Sequence, residues 1–145
     1  MYLRNTTGYM IANTGRRLTS TLTQLFQPHN LTLEQWSLLF VLHRHDGVSQ
    51  KELAELTSKD PANVTRILDQ LERKGFVRRA ANPADRRAFR MHNTPEGTEA
   101  AVELAPIEER FVAEVVAGIP AEDLETFRSV MQAINANLER RQTKG

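Results

Sequence analysis

Asp60-Pro61-Ala62-Asn63-Val64-Thr65-Arg66-Ile67-Leu68-Asp69-Gln70-Leu71-Glu72-Arg73-Lys74 is the stretch on which the fold turns. At 100° per residue, Val64, Ile67, Leu68 and Leu71 fall on one narrow stripe, the pattern of a helix that buries a single face. The opposite face carries Ala62, Arg66, Asp69 and Arg73, with Asn63 and Thr65 on its flanks. Asp60 is placed to cap this helix, Pro61 occupies the first position, where a missing N–H costs nothing, and Gly75 is placed to close it. The outward face is short at its N-terminal end and rich in hydrogen-bonding groups. A helix that enters a major groove needs that composition, because long apolar side chains would block its approach. An ordinary amphipathic surface helix has the same stripe, so the flanking elements have to decide between the two.

Upstream, Ser49-Gln50-Lys51-Glu52 reads as a capping box opening a short helix with Leu53, Ala54 and Leu56, and Thr57-Ser58-Lys59 is a tight turn. Downstream, Phe76-Val77-Arg78-Arg79 and Phe89-Arg90-Met91-His92 read as short strands, with Ala80 to Ala88 as the loop or hairpin tip between them. Two short helices, a tight turn and a hairpin make a winged helix-turn-helix. Asp69 is expected to pair with Arg66 or Arg73, one turn away on its own helix. At the tip, Asp85 is expected to hold one of the neighbouring arginines, Arg86 or Arg87, which suit a minor groove where negative potential is focused.

Helices flank this centre on both sides. From about 8 to 27, apolar residues recur at helical spacing and Pro28 ends the run. Thr32-Leu33-Glu34-Gln35 forms another capping box, opening a helix that carries Trp36, Leu39, Phe40 and Leu42 to about Asp46-Gly47. Thr94 and Pro95 start a helix that reaches about Ala117, with Pro106 as an expected kink. The last helix places Leu124, Phe127, Met131, Ile134 and Leu138 at alternating steps of three and four, a seam that calls for a partner. The expected fold is therefore mainly α with a small β-hairpin wing, as one domain over 1–145: a winged lobe at about 32–93 between helices at about 8–27 and 95–142.

Charge is unevenly spread. Lys59 to Arg90 holds nine basic and four acidic residues, a net +5, so the rest of the chain carries −4 beside an overall +1. A basic island on a mildly acidic body is the electrostatic footprint of a module that meets phosphate. With no cysteine, disulfides and cysteine-ligated zinc are excluded. His43 and His45 point to different sides of one helix while His29 and His92 are isolated, so neither metal nor cofactor is expected. A Gly-rich phosphate loop, a paired-carboxylate cleft and a Ser/His/Asp arrangement are all missing, which argues against an enzyme. The longest apolar run, Leu38 to Leu42, is too short for a bilayer, and the N-terminus lacks a signal pattern, so a cytoplasmic protein without a membrane partner is expected.

In this order, these segments resemble the MarR (multiple antibiotic resistance regulator) family. The resemblance rests on Leu31 to Trp36, Ser49 to Ala54, Val64 to Arg79, Asn82 to Arg87 and Thr94 to Gly97, and it runs along nearly the whole chain. Met91-His92-Asn93 departs from the aliphatic strand end usual in such proteins, which bears on the packing of the second strand. The resemblance implies a sequence-specific regulator of transcription, a ligand-responsive repressor that grips a pseudo-palindromic operator in double-stranded DNA as a homodimer. The alternative is a winged-helix module that binds protein without DNA. Expected DNA contacts are Ser49, Gln50, Lys59, Pro61, Ala62, Asn63, Thr65, Arg66, Arg73, Arg86 and Arg87. The expected dimer interface comprises Leu18, Leu22, Phe111, Leu124, Phe127, Met131, Ile134 and Leu138. A small aromatic or anionic effector would meet Arg16, Arg17, Trp36, Phe40 and His43.

Overall fold

The computed structural model describes residues 2–145 and contains six α-helices and one two-stranded sheet among them. In chain order these are α1 (Thr7–Phe26), α2 (Leu33–Arg44), α3 (Gln50–Thr57), α4 (Pro61–Arg73), β1 (Val77–Asn82), β2 (Asp85–Asn93), α5 (Pro95–Val115) and α6 (Ala121–Thr143). The chain divides into two compact units, one ending at Phe111 and the other spanning Val112–Gly145.

The first unit is built around α2. Leu38, Leu39 and Leu42 are fully buried there, together with Phe26 of α1, Leu53 of α3, Met91 of β2, Leu104 of α5 and the whole apolar stripe of α4. Trp36 packs between Phe26 and Phe40, with ring centroids 5.4 and 5.1 Å away, and its indole N–H donates to the Ala101 carbonyl at 3.2 Å. Burying so large a side chain requires that its polar end find a partner, and it does. In the second unit α6 has no buried residue, and Phe127, Val130 and Leu138 are each at least half exposed.

Local chemistry sets the helix ends. Thr32 and Gln35 form the reciprocal capping box of α2. Ser49 Oγ accepts from the Glu52 N–H at 3.1 Å, the forward half of the expected box at α3. Asp60 Oδ2 accepts from the Asn63 N–H at 3.2 Å, and Pro61 opens α4. Gly75, at φ +81°, closes α4: its N–H reaches Glu72 O, while the Phe76 N–H reaches back to Leu71 O. This left-handed closure is the geometry for which glycine is favoured after a helix. Pro106 lies inside α5, which continues through it.

The hairpin is longer than expected. Pairing begins at Val77 and extends to Asn82 and Asp85, so Ala80 to Ala88 is mostly strand and only Pro83-Ala84 form the turn. Main-chain pairing sustains these strands although the residues near the tip are mostly exposed on both faces, so alternation of buried and exposed side chains carries no signal there. The register breaks between Ala81, opposite Phe89, and Asn82, opposite Asp85, which leaves Arg86, Arg87 and Ala88 as unmatched residues. Met91 fills the core and His92 Nδ1 donates to Asp46 Oδ1 (2.9 Å), so the unusual strand end is well packed.

The junction of α4, β1 and α5 is tight. The Thr94 hydroxyl donates to Gly75 O and accepts from the Gly97 N–H. A Cβ on Gly97 would overlap the Phe76 carbonyl oxygen. Gly97→Ala is therefore expected to lower stability by on the order of 3 kcal/mol, read as a lower urea midpoint with an unchanged slope. An unchanged midpoint would show that α5 can start without this close approach.

Candidate nucleic-acid interface

The interface is built from α3, α4 and the wing. On α4, Val64, Ile67, Leu68 and Leu71 are at most 1% exposed, which fixes the rotation of the helix about its axis. That rotation leaves Pro61, Ala62, Thr65, Arg66 and Arg73 exposed and Asn63 half-buried. Lys59, Ser49 and Gln50 are half-buried at the two ends of α3. Arg86 and Arg87 are exposed beside the hairpin turn. Arg73, Arg86 and Arg87 form no ion pair among the described residues, so their charge is available to an anionic partner.

The outward groups of α4 are partly satisfied by each other. Arg66 Nη2 donates to Asn63 Oδ1 at 2.5 Å and stands 4.0 Å from Glu34 Oε2. The Thr65 hydroxyl donates back to Pro61 O at 3.1 Å. Such self-pairing spares surface polar groups while they wait for a partner, and it must be exchanged on binding.

Two acidic residues behave differently from expectation. Asp69 pairs with neither Arg66 nor Arg73: it accepts from Arg79 Nη2 at 2.5 Å, while Glu72 Oε1 accepts from Arg79 Nη1 at 2.9 Å. The antiparallel wing delivers Arg79 to both carboxylates, and its single guanidinium bridges Asp69 and Glu72. Arg79 thus clamps the wing to α4 and is withdrawn from the basic island. Asp85 holds no arginine side chain; its Oδ1 accepts from the Arg87 backbone N–H at 2.9 Å, while Asn82 Oδ1 accepts from the Ala84 N–H at 3.0 Å. Both are short local bonds that fasten the turn itself.

A second set of ties escaped sequence reasoning. Gln35, 5% exposed, donates from Nε2 to Gln70 Oε1 at 3.0 Å and accepts from Lys74 Nζ at 3.0 Å, and Lys74 also donates to Asn30 O at 2.7 Å. Burial pushes the Lys74 ammonium below its ordinary pKa. These bonds lock the start of α2 to the C-terminal half of α4. The capping pattern pointed to Gln35, but its reach across to α4 depends on tertiary approach.

The residues expected to meet an effector are not brought into one cavity. Arg16 and Arg17 line a groove of about 360 Å³ on α1 with Asn13, Ser20, Thr21 and Gln24. Trp36 is buried with its N–H already engaged, Phe40 is half-buried under Arg44, and His43 is exposed. Of the expected dimer residues, Leu22 packs inside its own unit's core and Phe111 against that core, while Leu18 is half-buried. In the second unit Leu124, Met131 and Ile134 are half-buried and Phe127 and Leu138 exposed.

Comparison with known proteins agrees with this fold. The sequence profile of the MarR family matches residues 31–89. An uncharacterized HTH-type transcriptional regulator of Bacillus subtilis (strain 168), YdgJ, is 35% identical over 101 residues, which is 70% of this chain. The chain spans 62% of that protein's length. Among solved structures, S. aureus MepR in its DNA complex superposes with a TM-score of 0.85 at 21% identity, covering 92% of this chain and 98% of that one. CouR of Rhodococcus jostii RHA1, bound to p-coumaroyl-CoA, superposes with a TM-score of 0.78 at 23% identity, covering 93% and 95%. At such identities the likeness is one of fold.

Proposed function

We propose that the chain is a member of the MarR family, whose profile matches residues 31–89, and that it binds duplex DNA sequence-specifically, as a homodimer, to repress transcription. One observation carries the reading. The buried stripe of α4 turns Pro61, Ala62, Thr65 and Arg66 outward with Asn63 beside them, while the wing holds Arg86 and Arg87 exposed. Asn63 is suited to adenine and Arg66 to guanine, and the wing arginines to phosphate or a narrow minor groove. Ser49, Gln50, Lys59 and Arg73 would position the lobe on the backbone.

Dimerisation is supported by apolar residues left in water. Met10, Ile11 and Leu25 on α1, Val102 on α5, and Phe127, Val130 and Leu138 on α6 are all exposed. Surfaces of this kind mark protein contacts. A twofold dimer presents two copies of α4, and operator symmetry would mirror it. A small aromatic or anionic effector fits the same scheme through Arg16 and Arg17, which are exposed on α1. The neighbour CouR was solved with an aromatic thioester bound, which supports this part of the reading.

The test is equilibrium binding to an operator selected in vitro from genomic fragments, against random duplex. Arg66→Ala is expected to weaken operator binding by about 1–3 kcal/mol and to lower discrimination at one base position. Equal loss on both duplexes would make Arg66 a phosphate contact instead. Arg86→Ala combined with Arg87→Ala is expected to flatten the slope of log K against log salt by about two units per subunit engaged. An unchanged slope would remove the wing from the interface.

A further inference from the structure

Glu34 lies in the first turn of α2, outside the expected DNA contacts, yet its carboxylate faces the outward side of α4 at 4.0 Å from the Arg66 guanidinium. The placement is built, since the capping box fastens the first turn of α2 and the Gln35–Gln70 and Gln35–Lys74 bonds hold that turn against α4. Glu34 and Arg66 also line one open cavity of about 340 Å³ with Thr19, Thr23 and Gln70. Arg66 thus rests between two acceptors, Glu34 and Asn63, and its bond to Asn63 occupies the Oδ1 that an adenine contact would need.

We propose that Glu34 tempers DNA affinity by holding Arg66 in this resting pair, so that the guanidinium leaves only for a site offering more than a single phosphate. The inference rests on the DNA-binding reading above. On random duplex, Arg66 would exchange one exposed charge pair for another, with little net gain. On the operator, it would gain a two-pronged base contact and release Asn63 to read its own base. Glu34 therefore costs the operator complex the full energy of the resting pair, which Arg66 must give up there, and costs random duplex no more than that, because Arg66 can stay paired.

The experiment measures affinity for the selected operator and for random duplex with wild type, Glu34→Gln, Arg66→Ala and the double variant, after thermal melts confirm folding. Glu34→Gln is expected to tighten operator binding by about three- to tenfold, with two exposed pairs released per dimer. Random-duplex binding should tighten no more than that, so the specificity ratio does not fall, and in the Arg66→Ala background the Glu34→Gln effect should vanish. No change on the operator, greater tightening on random duplex than on the operator, or an effect undiminished without Arg66 would each overturn the proposal. A wild-type protein that does not discriminate operator from random duplex would instead overturn the DNA-binding reading itself.

Discussion

Burial of Val64, Ile67, Leu68 and Leu71 is the constraint from which the rest follows. Four apolar side chains on one stripe of a thirteen-residue helix leave a single rotation in which all of them escape water. At about 1.5–3 kcal/mol for each large aliphatic side chain buried, that preference is strong enough to determine which residues remain outside. The outward identity of Asn63, Thr65 and Arg66 is thus a consequence of core packing, and no contact of their own is needed to put them there.

Rotation alone does not place a helix, and polar ties supply the remaining coordinates. Gln35 links the start of α2 to Gln70 and Lys74 at one side, and Arg79 links β1 to Asp69 and Glu72 at the other. Gln35 is buried with its amide donor and its acceptor both engaged, so losing one partner would leave a desolvated polar atom. Arg79 is mostly buried between two half-exposed carboxylates, which favours geometry over raw stability. The wing and the α4 helix consequently form one continuous surface, and two basic side chains that add to the island in sequence, Arg79 and Lys74, serve the fold instead.

Much of this was legible before any coordinates. Thr32, Asp60 and Thr94 act within three residues of the groups they cap, so spacing suffices to find them. The stripe of α4 is likewise local. The partner of Asp69 was not legible, because Arg79 reaches it only after the chain has turned at Gly75 and entered β1. The extent of the wing was hidden because Arg86, Arg87 and Ala88 fall in a register break whose surroundings are mostly exposed on both faces. Glu34 adds a favourable negative charge to the first turn of α2, and its proximity to Arg66 exists only once α2 and α4 are packed.

The account predicts that the polar side of α4 enters the major groove twice per assembly, and guanine N7 methylation by dimethyl sulfate reads that groove directly. On the selected operator, guanines should be protected in two patches about 10 base pairs apart, centre to centre. Protection confined to adenine N3 in the minor groove, or no protection of N7 on a fragment that is fully bound, would contradict it.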